Sequence, residues 1–222
     1  MRSLAHPKTL RSAVFAGFFS ALVSLPRIAL WAERPYPVWY LEAVLFLSGI
    51  VLWAFVFAWH TKYTGQPVFR FNLNTRHFAE ATCAGLVLAA LLYCFIDPTS
   101  RLATPEDYPT SVSQLIAMIF FSLGFAHLFT LFAPFAWLIR LFRSEKLAAA
   151  LTIAFGVVLV FVKNHSSHVL LPPNLLFSLV VLTIASGLLS IHFFLRGGVV
   201  LVWWFALLLF SRHLLHPMSS WN

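Results

Sequence analysis

The chain has 222 residues, of which 60% are hydrophobic and only 10% are charged, and its mean hydropathy is +0.86. A soluble domain of this length cannot bury so much apolar surface, because globular chains are typically about half apolar and a quarter charged. The net charge of +8 is spread over short loops with no run of five like charges, which argues against nucleic-acid binding. We therefore predict a single integral membrane domain over residues 1–222, in contact with the lipid bilayer.

Seven apolar segments are long enough, or nearly so, to cross a hydrocarbon core that requires about 20 residues of helix. They are, in chain order, 13–32, 38–59, 78–96, 112–138, 147–162, 174–195 and 198–215. The alternation of a membrane β-barrel is absent, so helices are the remaining way to satisfy the backbone within lipid. The sequence predicts an all-α fold, a polytopic transmembrane helix bundle of about seven helices.

The first segment follows a basic start and resembles a signal peptide. Its apolar run continues past Pro26 and Arg27, and no small-x-small cleavage site follows at the usual place. We therefore predict that this segment is retained as the first membrane helix.

The basic residues are distributed unequally between the two sides of the predicted bundle. With the N-terminus inside, the inner side holds Arg2, Lys8, Arg11, Lys62, Arg70, Arg76, Arg140, Arg143, Lys146 and Arg196. The outer side holds only Arg27, Arg34, Arg101, Lys163 and Arg212. This asymmetry predicts an N-terminus inside and a C-terminus outside. The inner loop 60–77 and the outer loop 97–111 are predicted to be solvated connectors.

The acidic residues and cysteines within the segments are predicted to have structural rather than chemical roles. Glu42 and Glu80 lie within about one turn of their predicted helix ends and near opposite faces of the membrane. We expect both to reach the interface rather than to pair for acid–base chemistry. Cys83 and Cys94 are separated by roughly 16 Å of helix, too far for a disulfide, and are predicted to be buried small hydrophobes.

Histidines are the most informative polar residues. His127 lies deep in the fourth segment, His165 and His168 end the fifth, and His213 and His216 end the seventh. Imidazole carries protons near neutral pH and binds divalent metals, so His165, His168 and His213 are candidate ligands for zinc or another divalent ion. The competing interpretation is structural and is favoured, because four of the five lie at interfacial helix ends. A single core histidine such as His127 is usually satisfied by a neighbouring hydroxyl or carbonyl, and no cofactor is then expected.

Three segments carry motifs of a known family. In LTIAFGVVLVFVKNHSSH, Phe161 and His165 occupy the positions of an FxxxH motif. In IASGLLSIHFFLRGGVVLVWWFALLLFSRHLLH, His213 falls on the last histidine of a closing helical hairpin, and FNLNTRHFAEATCAGLVLA resembles the beginning of the preceding helix. Residues 112–217 thus resemble the CPBP family of intramembrane proteases, the CAAX prenyl protease and bacteriocin-processing group.

The chain departs from this family at the residues that the resemblance associates with water activation. The family's glutamate pair should lie near FAHLFTLFAPF, where Ala126 and His127 stand, and no arginine follows at the motif spacing. Pro217 replaces the asparagine or aspartate expected four residues after His213. The resemblance implies either a catalytically inactive relative or a rebuilt catalytic site formed by His127, His165 and His213.

The missing glutamate pair favours a non-catalytic role over an enzymatic one. The leading prediction is a divergent CPBP-like protein that associates with other integral membrane proteins or transmembrane segments, as an accessory subunit of a complex in a bacterial inner membrane. Small residues at Ala81, Gly85 and 185–187 would permit the close helix contacts that association requires. The alternatives are a histidine- or metal-dependent intramembrane hydrolase and a small-solute transporter.

Overall fold

The computed structural model describes residues 4, 6–31, 34–72, 74–166 and 170–215. These residues form helices and no strand, apart from one isolated bridge between Phe69 and Gly198. Within them, six helices are long and apolar enough to cross a membrane. They are α1 (Pro7–Ala29), α2 (Val38–Thr64), α3 (Thr75–Ala103), α4 (Val112–Phe142), α5 (Glu145–Ser166) and α6 (Pro173–Leu215). The predicted all-α, multi-pass membrane fold is confirmed.

The last helix contains both of the final two predicted segments. As one straight helix its 43 residues would extend about 64 Å, roughly twice the thickness of the hydrocarbon core. The backbone leaves the helical conformation at Gly198, where φ is 64° and ψ is −160°. The rings of Phe193 and Phe205, about 18 Å apart along a straight helix, have centroids 5.2 Å apart. The chain therefore folds back at Gly198, and α6 is a helical hairpin with arms 173–197 and 198–215.

The chain divides into two compact units, and the first comprises Met1–Val68 and Ser111–Ala148. In this unit α1 lies closely against α2. The absence of a side chain on Gly17 permits this approach, since a Cβ atom there would come within 2.8 Å of the backbone nitrogen of Ile50. The indole Nε1–H of Trp53 donates to the hydroxyl of Ser20 at 2.9 Å, and both residues are buried. The first helix therefore packs within this unit, and its retention stays a prediction.

The second unit comprises Phe69–Thr110 and Ala149–Asn222. Its helix α3 lies against the second arm of α6, where a Cβ atom on Gly85 would come within 2.8 Å of Leu208 Cβ. The first arm contacts α5 through Gly187, whose Cβ position lies 3.1 Å from Ile153 Cγ1. The predicted close contacts at Gly85 and Gly187 therefore exist, and in this structure they join helices of the same chain.

Two predictions for α3 are wrong. The helix continues past Ile96 to Ala103, and Asp97, placed in the outer loop by the sequence, is buried within it. Cys83 and Cys94 are exposed rather than buried. Eleven residues are about three helical turns, so the two cysteines lie on the same face of α3. The buried residues of α3, among them Ala81, Gly85 and Leu88, lie on the opposite face.

Substitution of Gly198 by alanine tests the helical hairpin. The Gly198 backbone lies in a region that essentially only glycine adopts, so Gly198→Ala should lower the free energy of unfolding by about 1–3 kcal/mol. Gly156→Ala is the matched control, because its Cβ atom would make only an ordinary contact with Thr183 at 3.5 Å. Thermal unfolding of both variants in one detergent, followed by circular dichroism, should show a lower Tm for Gly198→Ala alone. Equal melting temperatures would rule out the strained turn.

Candidate functional site

His127 of the first unit is satisfied by its own helix. It lies between two π-helical stretches, Ser122–Ala126 and Leu128–Phe132, whose wider turn brings the carbonyl five residues earlier within reach of the ring. The Nδ1 atom lies 2.7 Å from the carbonyl oxygen of Ser122 and 3.2 Å from its hydroxyl. Because a carbonyl only accepts, Nδ1 carries the proton and donates it. This is the structural role expected for a single core histidine.

The other candidate histidines belong to the second unit. His213 is buried between the rings of Tyr108 and Phe210, with centroid distances of 5.7 Å and 6.1 Å. His165 is exposed near the end of α5, and His168 lies outside the described residues. Among the residues that the structure describes, no three His, Cys, Asp or Glu side chains form a group suited to a metal ion. The zinc site of His165, His168 and His213 stays a prediction, as does the catalytic set that includes His127.

The most buried charge of the second unit is the carboxylate of Asp97. Only 2% of its side chain is exposed, and its Oδ2 atom accepts from Arg212 Nε at 3.1 Å. The hydroxyl of Tyr108 donates to Oδ1 at 2.9 Å. The guanidinium of Arg101 lies 4.6 Å from the centroid of the Tyr108 ring, a cation–π contact. Asp97, Arg212, Tyr108, Arg101 and the adjoining His213 form what we call the Asp97 cluster.

The environment of the Asp97 cluster keeps Tyr108 protonated. Burial, followed by the nearby carboxylate of Asp97, raises the pKa of Tyr108 from 10.0 to about 12. The phenol therefore remains a hydrogen-bond donor to Asp97 throughout the physiological range. Because both Tyr108 and Arg212 occupy its oxygens, Asp97 is held as an ion-pair partner between α3 and α6, which is unfavourable for a general base.

A second group of charges surrounds Glu80, near the opposite end of α3. Its Oε1 atom accepts from Arg76 Nε at 2.9 Å, and its Oε2 atom lies 3.3 Å from a guanidinium nitrogen of Arg196 and 3.4 Å from His77 Nδ1. The side chain of Glu80 is 33% exposed, and its interfacial position stays a prediction. The interaction that the sequence did not reveal is the ion pair with Arg196, which joins α3 to the turn of the α6 hairpin.

His60 of the first unit is a buried residue that sequence analysis placed in a loop. It ends the π-helical stretch Val56–His60, is 0% exposed, and lies with its ring centroid 6.4 Å from that of Phe135. The helix continues to Thr64 and ends at Gly65, whose φ of 70° is typical of a helix C-terminus. That glycine was the available signal, since a glycine after a polar turn commonly marks the true end of a helix.

Comparison with protein-family models, curated proteins and solved structures gives no match for this chain. Three of the polar side chains described above make defined structural contacts. Glu80 and Asp97 are engaged in ion pairs between helices, and His127 is bonded within its own helix. The arrangement can stabilise helix contacts and hold positive charge at one end of α3.

The contribution of the Asp97–Arg212 pair can be measured by removing one partner. Asp97→Asn should lower the free energy of unfolding by about 3–5 kcal/mol, because it leaves a poorly solvated guanidinium without its counter-charge. Lys163→Gln, which breaks the exposed ion pair with Asp107, should cost about 0–1 kcal/mol. Denaturant unfolding in one detergent compares them, and the double variant Asp97→Asn/Arg212→Gln should recover part of the loss. Equal effects of Asp97→Asn and Lys163→Gln would contradict the assignment.

The raised pKa of Tyr108 predicts a loss of stability at high pH. Unfolded chains ionise this phenol near pH 10, whereas the folded chain holds the proton until about pH 12. Stability should therefore fall as the pH rises from about 10 to about 12, and Tyr108→Phe should lack this part of the decline. Unfolding measured across that range in both proteins tests the difference. Identical slopes would show that the hydroxyl does not lie in the described environment.

Proposed function

We propose that this chain is a non-catalytic, divergent CPBP-like membrane protein that associates with a transmembrane segment of another protein, as an accessory subunit of a membrane complex. The observation that carries the proposal is the weak burial of α5. Only 11% of the most apolar 18-residue stretch of α5 is buried, compared with 33% of the corresponding stretches of α1 and α4. An apolar helix with so much uncovered surface is suited to a partner helix as well as to lipid.

The uncovered face of α5 has the side chains that close helix association favours. Ala150, Ala154 and Val158 are exposed and spaced by four residues, so they share one face. Small residues at this spacing let two helix backbones approach closely in a membrane. The contacts of α5 with α6 are made through Ile153, near Gly187, and Gly156, near Thr183, while Ala150 and Ala154 stay exposed.

The ion pairs and hydrogen bonds that polar residues make within the chain support a role without catalysis. Asp97 and Glu80, two carboxylates of the second unit, take part in ion pairs between helices. His127 stands where the family resemblance would place a glutamate and is bonded to Ser122. A bacterial inner membrane with the N-terminus inside is part of the same proposal and is supported by the basic inner loops.

A photocrosslinking amino acid at Ala154, incorporated in cells, tests this association directly. We expect one discrete protein adduct from the membrane fraction, because Ala154 would lie within van der Waals distance of the partner helix. Incorporation at Ala90, an exposed alanine of α3, is the matched control and should label lipid only.

Three results would contradict the proposal. The first is lipid labelling alone at Ala154, and the second is the same protein adduct at both positions. The third is a purified monomer with peptide-hydrolysing activity and stoichiometric zinc that are both lost in His165→Ala. That third result would establish the hydrolase alternative.

A further inference from the structure

Three arginines converge at the end of the second unit that holds the turn of α6. A guanidinium nitrogen of Arg70 donates to the backbone carbonyl oxygen of Arg196 at 3.2 Å, so the Arg70 side chain is held at the turn of α6. Arg196 and Arg76 both contact the carboxylate of Glu80. We call Arg70, Arg76 and Arg196 the arginine cluster.

The arginine cluster carries more positive charge than the adjacent acid compensates. Three guanidinium groups against the single carboxylate of Glu80 leave two positive charges, and His77 adds a further hydrogen-bonding ring. The side chain of Arg76 is 80% exposed and that of Arg196 is 43% exposed, so each retains donors that face outward. Guanidinium groups present a planar fork of N–H donors that matches the oxygens of a phosphate.

Aromatic side chains beside the arginine cluster add an apolar surface at the same level. Phe71, next to Arg70 in sequence, is 81% exposed. Phe78, one turn into α3, stacks on Trp204 of the second α6 arm with ring centroids 4.8 Å apart. Aromatic residues beside basic ones are typical of the membrane interface, where a head group and the first part of its acyl chains lie.

We propose that the arginine cluster binds the phosphate of an anionic phospholipid, with Phe71 and Phe78 against its acyl chains. A lipid is favoured over a soluble phosphate because the donors and the exposed rings adjoin each other at the end of a membrane helix. The positive-inside rule predicts that this end faces inward, where anionic head groups attract basic residues. The proposal is independent of the association that involves α5.

Native mass spectrometry of the full chain in mild detergent tests this site. Phosphatidylglycerol and phosphatidylcholine with identical acyl chains are added at equal concentration. The unmodified chain should retain phosphatidylglycerol preferentially, and Arg70→Gln/Arg76→Gln should weaken that retention by about fivefold for each arginine removed. Glu80→Gln should strengthen it, because the competing carboxylate loses its charge. Circular dichroism and gel filtration confirm that each variant is folded.

The matched control is Lys8→Gln/Arg11→Gln, which removes the same charge from α1 on the same predicted side. It should leave the retention of phosphatidylglycerol unchanged. An equal loss in this control would overturn the site in favour of diffuse surface charge. Equal retention of the two lipids by the unmodified chain would overturn the proposal entirely. Displacement of phosphatidylglycerol by an equal concentration of inorganic phosphate would overturn the choice of a lipid.

Discussion

The ion pair between Asp97 and Arg212 is the interaction on which the second unit most depends. A charge at membrane depth is costly, and a buried one is tolerated when a partner and further hydrogen bonds compensate it. Asp97 has both, since Arg212 and the hydroxyl of Tyr108 donate to it. The Glu80–Arg196 pair is more exposed and contributes less, although it fixes the opposite end of α3. The two acids are about 26 Å apart along the helix, close to the thickness of the hydrocarbon core.

The reversal of the chain at Gly198 allows α6 to form ion pairs with both Glu80 and Asp97 of the neighbouring helix α3. It brings Arg196 to the beginning of α3, and the following arm then extends along α3 until Arg212 reaches Asp97. Between them, Trp204 donates to the hydroxyl of Thr82 at 2.9 Å. This arrangement commits the carboxylates to structure and leaves uncompensated arginines at one end.

Hydropathy predicted the helical membrane fold because each span must be apolar over its whole length, and this signal is local. The sequence did not predict that Asp97 is buried, because its counter-charge Arg212 is distant in the chain and was assigned to a solvent-facing helix end. Cys83 and Cys94 were assigned wrongly because in lipid an apolar side chain is equally stable facing outward. The bond of His127 to Ser122 is a local one, since its partner is only five residues away in the chain.

Disulfide formation between α3 and the second arm of α6 tests the central claim most directly. In a chain with Cys83→Ala and Cys94→Ala, the pair Gly85→Cys/Leu208→Cys tests this contact. The Gly85 Cβ position is 2.8 Å from Leu208 Cβ, so a separation of the two helices by about 1 Å brings these atoms to the roughly 3.5–4.5 Å between Cβ atoms that a disulfide requires. The account predicts rapid and complete oxidation in native membranes, reduced when Asp97→Asn is added. Absence of the disulfide, with efficient oxidation of a Val87→Cys/Leu208→Cys pair instead, would contradict the described register of α3 on α6.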